Sequence, residues 1–279
     1  MRGLLNLLQL FWPAIALAFI AAPAVALQPG TTDFSVAGLA PEAAGLAIFQ
    51  EADRRASGYQ DLSVDLEMIL RDRRGNQSQR QLKIRQLEMA EDGDRLLVVF
   101  DSPKPIRGTA LLSYSYKFAP DDQWLFLPAF KRVKKITSKN RSGPFLSSEF
   151  AFEDLALQEV EKFTYRLLES ESDESGAYYL VERTPVDDTS GYSRQLVRLD
   201  QAELRIQHIE YFDDRERPLK TLTVSGYEFY LERFWKPAQM MMENIQTGRS
   251  TQLVWHDYQF GLGLDSQRDF STNSLRRVR

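Results

Sequence analysis

Cysteine is absent from the 279-residue chain, and histidine occurs only at His208 and His256. Without a thiol the chain cannot form a disulfide bond, carry a lipid on a cysteine of its own, or build a zinc site of the Cys2His2 type. We therefore expect a hydrophobic core to stabilise the fold, and we predict neither a metal site nor a cofactor.

Recognisable catalytic motifs are also lacking. There is no G-x-S-x-G turn, Gly261-Leu262-Gly263 is too isolated to be a phosphate-binding loop, and both histidines fall on predicted strands. Three acidic residues could serve acid–base or calcium chemistry, but their spacing matches no known loop, so capping or pairing with nearby cations is favoured. They are Glu149, Glu153 and Asp154. We predict that the protein is not an enzyme.

Positive charge is in slight deficit. The chain has 35 Lys and Arg against 39 Asp and Glu, which gives a formal net charge of −4. A general nucleic-acid binder is clearly basic, so nucleic acid is not an expected partner.

Residues 1–26 have the three parts of a secretory signal peptide. Arg2 supplies the positive charge, an apolar run extends from Leu4 to Ile20, and Ala24-Val25-Ala26 has the small-x-small pattern of a cleavage site. An uncleaved membrane anchor is the alternative, because the run is nearly long enough to span a bilayer. The cleavage site favours removal, so we predict an exported protein with a single domain at residues 27–279.

Beyond the signal peptide, the hydrophobic period is mostly two. The segments from Leu62 to Leu70 and from Ala110 to Phe118 alternate apolar and polar residues, as half-buried strands do. One helix is predicted over Pro41–Ala56, because Pro suits the first helical position. Its predicted apolar stripe is Leu46, Phe49, Ala52 and Ala56.

About eleven short antiparallel strands are predicted in all, with Lys220–Leu231 and Trp235–Ile245 each taken as one strand. The predicted fold class is mainly β (α+β). We expect one strongly curved sheet whose concave face is covered by a helix, a ligand or both. An ordinary β-sandwich core explains the patterns equally well.

Asp121–Leu155 is the most unusual stretch of the sequence. Trp124–Leu127 is apolar enough for a strand buried on both faces, and Pro128 ends it. Six cations then follow with no acid among them, and we call them the basic run: Lys131, Arg132, Lys134, Lys135, Lys139 and Arg141. The basic run is either a solvated hairpin loop or a patch that docks on an anionic partner or on lipid head groups.

Three consecutive methionines, Met240-Met241-Met242, lie on a predicted strand. Methionine is common on adaptable apolar binding surfaces, and it also fills cores. A core position is the favoured interpretation.

Two segments of the unusual stretch resemble the signature of the outer-membrane lipoprotein-sorting family, the relatives of the LolA and LolB carriers. They are WLFLPAFKRVKKI at residues 124–136 and RSGPFLSSEFAFEDL at residues 141–155. Further matching positions, among them Gly108-Thr109-Ala110-Leu111-Leu112 and Tyr192-Ser193, extend the resemblance over most of the chain. Ser147-Ser148-Glu149 departs from the pattern, in which a Gly-Ser-Asp-like turn is expected.

The resemblance implies a periplasmic protein with an incomplete (half) β-barrel wrapped around helices and an apolar cavity that holds acyl chains. It implies a carrier for lipid or lipidated protein that works with an inner-membrane RND-type exporter in outer-membrane trafficking. A non-shuttling adaptor or lipid sensor is the alternative. The residues expected to line the cavity are Trp124, Phe126, Leu112, Tyr114, Leu66 and Met68. The basic run is expected to meet head groups or a membrane partner in transient contact.

Overall fold

The structure, a computed structural model, describes residues 34–174 and 176–277. These residues belong to one compact unit, Asp33–Arg279. The predicted signal peptide, residues 1–26, lies outside the described residues. Within them, no helix combines the length and the apolar composition needed to cross a membrane.

Strands dominate the described part of the chain. The helices are α1 (Pro41–Ala56), α2 (Ser138–Arg141) and α3 (Ser266–Asp269). Single 3-10 turns lie at Lys104–Ile106, Pro128–Phe130, Phe145–Ser147, Glu153–Leu155, Val160–Lys162 and Ser274–Arg276. The strands are β1 (Asp61–Arg71), β2 (Gln77–Leu87), β3 (Asp94–Ser102), β4 (Ala110–Ser115), β5 (Asp122–Leu127), β6 (Arg132–Ile136), β7 (Phe163–Asp173), β8 (Gly176–Pro185), β9 (Arg194–Asp200), β10 (Ile206–Phe212), β11 (Pro218–Ser225), β12 (Glu228–Tyr230), β13 (Phe234–Lys236), β14 (Gln239–Asn244) and β15 (Arg249–Phe260).

Thirteen of these strands form one antiparallel sheet, and β12 and β13 form a separate two-stranded ribbon. The order across the sheet is β6-β5-β4-β3-β2-β1-β15-β14-β11-β10-β9-β8-β7. The sheet is curved but does not close into a barrel, because β6 and β7 remain as its two edges. The predicted fold class, mainly β with one open curved sheet, is therefore confirmed.

The number of strands is higher than the predicted eleven, for reasons that are local. Gly226 separates β11 from β12 with φ at 65°, and a Cβ there would lie 3.1 Å from that of Ala238. Pro237 separates β13 from β14 for a different reason, since proline has no N–H to donate to a neighbouring strand. The basic run was not among the predicted strands, but it contains the edge strand β6.

Alternation along the strands gives the sheet two differently covered faces. On β3, Leu96, Val98 and Phe100 belong to the main core, whereas Leu97 and Val99 belong to a second, smaller core. Successive side chains of a strand point to opposite faces, so the two cores lie on opposite sides of the sheet. We call the side of the main core the inner face and the other side the outer face. The smaller core, on the outer face, is the outer core.

Helix α1 packs on the inner face and has the predicted bounds. Ala44, Ile48 and Phe49 are buried, and the Phe49 ring lies 4.5 Å from that of Tyr165 on β7. Gly45 permits this approach, because a Cβ there would lie 2.9 Å from the backbone nitrogen of Arg166. The predicted apolar stripe is rotated from the observed one.

Exposure shows the error in that stripe. Leu46 is 38% exposed and Ala56 is also exposed, whereas Phe49 is buried and Ala52 is half-buried. Ile48, which the predicted stripe omits, is fully buried. The close contact with β7 selects the small residues Ala44 and Gly45.

A segment after β6 also packs on the inner face, and we call residues 144–158 the cover segment. Phe145 and Phe150 enter the main core. Polar side chains of the sheet hold the backbone of the cover segment: Ser113 Oγ donates to the Leu155 carbonyl at 3.0 Å, and Gln123 Nε2 donates to the Phe152 carbonyl at 2.8 Å. The cover segment is therefore tied to β4 and β5.

Residues 261–277, which we call the C-terminal segment, cover the outer face of β3, β4 and β5. Phe270 and Leu275 are both 0% exposed and join the outer core with Leu97, Leu112 and their neighbours. Tyr114 Oη donates to the Phe270 carbonyl at 2.6 Å. This segment is part of the fold.

Replacing Phe270 with Ala tests the contribution of this segment. Because the ring is fully buried, we expect the free energy of unfolding to fall by about 3–5 kcal/mol in urea titrations. Leu262→Ala is the matched control, since Leu262 is 43% exposed in the same segment and should change stability by about 0.5 kcal/mol or less. Equal stabilities of the two variants would contradict a structural role for the segment.

Candidate functional site

Two adjoining cavities lie between the inner face and the cover segment. The first has a volume of about 530 Å³ and the second about 280 Å³. Leu157, Gln158 and Met240 line both, so the two spaces meet at these side chains. Volumes of this order are typical of sites for small ligands.

The second cavity has mostly apolar walls. Its floor is formed by strands β10, β11 and β14, and its roof by the cover segment. The apolar lining includes Phe150, Ile206, Ile209, Leu222 and Val224. These side chains offer an apolar surface to a ligand.

The first cavity is apolar at its floor and acidic at its rim. Leu62, Val64 and Trp255 form part of the floor. Six carboxylates and two lysines stand around it: Asp53, Glu88, Glu91, Asp92, Asp94, Glu159, Lys117 and Lys236. The rim is therefore a region of excess negative charge.

Burial and like charge disturb the protonation of this rim. Burial, together with the nearby carboxylates of Asp94 and Asp53, raises the pKa of Glu159 to about 7. Burial lowers the pKa of Lys236 to about 8. The Lys236 ammonium lies 4.1 Å from the centre of the Tyr59 ring. An anionic group would be repelled at this end of the site.

A buried ion pair fixes the cover segment above the second cavity. Lys220 on β11, which is 4% exposed, donates to the Asp154 carboxylate at 2.8 Å and to the Glu149 carbonyl at 2.9 Å. Asp154 also accepts from the Ala151 backbone and from Tyr192 Oη. Asp154 thus pairs with a cation, as the favoured interpretation had it, and no side chain of the described residues caps the 3-10 turn Glu153–Leu155.

Glu149 and Glu153 are also engaged by other groups. Glu149 forms an ion pair with Arg249 at 3.0 Å, and Glu153 accepts from Ser190 Oγ and from the Gly191 backbone. No group of three or more His, Cys, Asp or Glu in the described residues is arranged to hold a metal ion.

The two histidines lie on different strands, His208 on β10 and His256 on β15. The Nδ1 atom of His208 lies 3.4 Å from Thr223 Oγ1, and neither imidazole has a hydrogen-bonded carboxylate among the described residues. No arrangement of nucleophile, base and acid is formed around them.

The six residues predicted to line the cavity do not share one face. Leu66 and Met68 are buried in the main core, at 2% and 1% exposure. The other four belong to the outer core beneath the C-terminal segment: Leu112, Tyr114, Trp124 and Phe126. None of the six is among the residues that line the two cavities.

The six residues expected to line the cavity are thus divided between the two cores. Trp124 packs edge-on against Tyr114 at 4.9 Å, so the aromatic strand supports the C-terminal segment. Alternation along a strand shows which residues share a face, and Trp124, Phe126, Leu112 and Tyr114 do share one. It does not show which face carries the cavity.

Met240 lines both cavities, although a core position was the favoured interpretation for the three methionines. Met242 is 0% exposed in the main core, as the favoured interpretation required. Met240, two residues earlier on the same face, stands where the two cavities meet. Met241 between them points to the outer face by alternation. A methionine at this position suits an adaptable apolar surface.

The basic run is divided by the structure. Lys131, Arg132, Lys134 and Lys139 are exposed, and none has an ion-pair partner among the described residues. Lys135 pairs with Asp122 at 2.5 Å. Arg141 is buried and donates to Asp187 at 2.7 Å, so it is structural and cannot dock on a partner.

Comparison with known proteins follows the geometry. A family model described as an uncharacterized protein matches residues 92–277. No curated protein matches the chain. A domain from Vibrio parahaemolyticus, named for outer membrane lipoprotein sorting, is similar at 43% identity and a TM-score of 0.81, over 84% of this chain and 98% of that one.

Two further crystal structures have the same fold. A DUF1329 family protein from Desulfovibrio piger is 27% identical with a TM-score of 0.79, over 85% of this chain and 99% of that one. A LolA superfamily protein from Nitrosomonas europaea is 20% identical with a TM-score of 0.68, over 82% and 98%. On these matches the chain belongs to the family of outer membrane lipoprotein-sorting protein domains, and it shares the fold of the LolA superfamily protein.

Proposed function

We propose that this protein is a periplasmic carrier that shields the acyl chain of a lipid or lipidated protein in the two joined cavities. The observation that carries the proposal is the apolar space between the inner face and the cover segment. A chain could extend from the second cavity past Met240 to the floor of the first. The family membership and the predicted signal peptide support the proposed periplasmic location.

The binding energy needs no special polar chemistry. Each CH2 group removed from water contributes about 0.8 kcal/mol, so a chain of several carbons is held by burial alone. The walls named above supply this burial. Part of the gain offsets the ordering of the chain, as in any association.

We further propose that the carrier exchanges its cargo with an inner-membrane RND-type exporter in outer-membrane lipid or lipoprotein trafficking. The resemblance of the unusual stretch to the exporter-associated branch of the family supports this partner. A non-shuttling adaptor remains the second candidate, because the same fold can serve a carrier or a regulator.

The surface that meets a membrane or exporter is proposed to lie along β6. Arg132 and Lys134 are exposed on this edge strand, with Lys131 beside them. Lysine on an edge strand also prevents unwanted strand pairing, which is an alternative explanation for these charges. The two explanations differ in what they predict for binding to anionic lipid.

The carrier proposal predicts acyl material in protein purified from periplasm without detergent. Mass spectrometry of organic extracts should find a lipid or acylated species near one per protein. Met240→Trp should fill the junction of the cavities and weaken uptake of a fluorescent fatty acid by at least about tenfold, the effect of losing two buried CH2 groups.

Met241→Trp is the matched control, because the same ring is placed one residue away on the outer face. It should leave uptake unchanged. An empty protein that takes up no probe, yet co-purifies in fixed ratio with an exporter, would replace the carrier by the adaptor.

The docking proposal predicts a local charge effect on membrane binding. The double variant Arg132→Glu with Lys134→Glu should bind vesicles of phosphatidylglycerol roughly thirtyfold more weakly at low salt, since each cation near an anionic surface contributes about 1 kcal/mol. Co-sedimentation measures the binding.

The control makes the same change of net charge elsewhere. Arg73→Glu with Arg74→Glu alters two exposed residues of the turn between β1 and β2. Equal loss in both double variants would show a general charge effect and would remove β6 from the proposal.

A further inference from the structure

A row of polar side chains crosses the inner face beneath the second cavity. Arg183 on β8 is the cross-strand partner of Gln195 on β9, and Gln195 is the partner of Tyr211 on β10. Tyr211 is in turn opposite Lys220 on β11. Four successive strands therefore place polar residues side by side in a face that is otherwise apolar.

Three members of this row are almost fully buried and line the second cavity. Arg183, Gln195 and Tyr211 are 5%, 3% and 4% exposed. Arg183 Nε donates to Gln195 Oε1 at 2.8 Å, and this bond orients both side chains. The three groups form one cluster in a single small space.

Donor groups of this cluster have no partner. Among the described residues, no hydrogen bond is formed by the terminal guanidinium nitrogens of Arg183, by Gln195 Nε2 or by Tyr211 Oη. None of these atoms is among the fully buried side-chain atoms that lack a partner, so they open onto the cavity and are free to donate to a ligand placed there.

Arg183 also lacks an ion pair. Its guanidinium lies 4.4 Å from the centre of the Phe163 ring and 5.6 Å from that of Phe49, which compensates part of its charge. No carboxylate of the described residues lies within ion-pair distance of it. Burial lowers the pKa of Arg183.

The carboxylates that line the second cavity are already engaged. Asp154 binds Lys220 and Tyr192, and Glu153 binds Ser190 and Gly191. Arg141 and Lys162 pair with the two others, Asp187 and Asp121. Arg183 is thus the cation of this cavity that is left without an acid.

We propose that Arg183, Gln195 and Tyr211 bind the anionic head, carboxylate or phosphate, of the amphiphile whose chain occupies the cavities. This inference rests on the proposed function and adds the class of cargo. A guanidinium suits both head groups, because its planar fork of N–H donors matches carboxylate and phosphate oxygens. Tyr211 and Gln195 would each donate one further hydrogen bond.

Charge also sets the direction of the ligand. The rim of the first cavity has excess carboxylates, including Asp53, Asp94 and Glu159, and would repel an anionic head. The row around Arg183 would attract it. The head therefore lies in the second cavity and the chain runs past Met240 toward Leu62 in the first.

Three ligands of one chain length test the inference: dodecanoic acid, dodecyl phosphate and dodecanol. Each displaces N-phenyl-naphthylamine, an uncharged fluorescent probe, from the whole protein. We expect the acid and the phosphate to bind roughly tenfold to a hundredfold more tightly than the alcohol. Arg183→Met should abolish this preference and leave the affinity for dodecanol unchanged.

Two other variants separate binding from folding. Arg194→Met removes the neighbouring arginine on the opposite face of β9, which pairs with Glu182 at 3.5 Å, and should keep the preference. Tyr211→Phe removes only a hydroxyl, and should reduce the preference roughly threefold to tenfold. If Arg183→Met fails to fold, the preference of Tyr211→Phe for the acid over the alcohol still tests whether the cluster binds the anionic head.

The outcomes distinguish the two proposals. Equal affinity for acid and alcohol would overturn the anionic head and leave the carrier intact. No binding of any of the three ligands, nor of the probe, would overturn the carrier itself. Inorganic phosphate alone, if it bound at millimolar concentration and did not compete with dodecanoic acid, would show an anion site unrelated to the cargo and overturn the inference.

Discussion

The contact on which the site depends is the buried ion pair between Lys220 and Asp154. Lys220 rises from the inner face of β11, and its second hydrogen bond reaches the Glu149 carbonyl, so one side chain holds two points of the cover segment. Removing one partner of a buried pair typically costs about 3–5 kcal/mol, because the other charge is left uncompensated. The cover segment turns an open sheet into a cavity. Without the cover segment, the apolar inner face of β10, β11 and β14 would be open to water.

The two faces of the sheet differ, because different parts of the chain cover them: one face carries a filled core and the other carries the cavities. On the outer face, the C-terminal segment buries Phe270 and Leu275 and leaves no room above β3, β4 and β5. On the inner face, α1 packs against β7 at one edge and the cover segment is bound to β4, β5 and β11, and the two cavities lie beside them. An open sheet with edges at β6 and β7 can have two differently covered faces, since it need not satisfy the closure geometry of a barrel.

The helix and strands could be predicted well from the sequence, but the face of the sheet on which each side chain lies could not. Helix α1 and the alternation of β1 follow from Pro41 and from the period of Leu62 to Leu70, both of which are properties of neighbouring residues. The position of Trp124 relative to Leu66 depends on which face each strand presents, and a period of two carries no such information between strands. The contribution of the cover segment likewise could not be foreseen, because Lys220 and Asp154 are 66 residues apart.

The polar row of β8 to β11 explains how a carrier with an apolar cavity can still select its cargo. An apolar wall distinguishes chains only by length and shape, and one CH2 group changes affinity by no more than about 0.8 kcal/mol. A guanidinium without an ion-pair partner discriminates more sharply, because a ligand without an anion leaves it uncompensated. Lys220, at the neighbouring end of the row, holds the cover segment above the same cavity, so adjacent residues of one row would bind the head group and the roof.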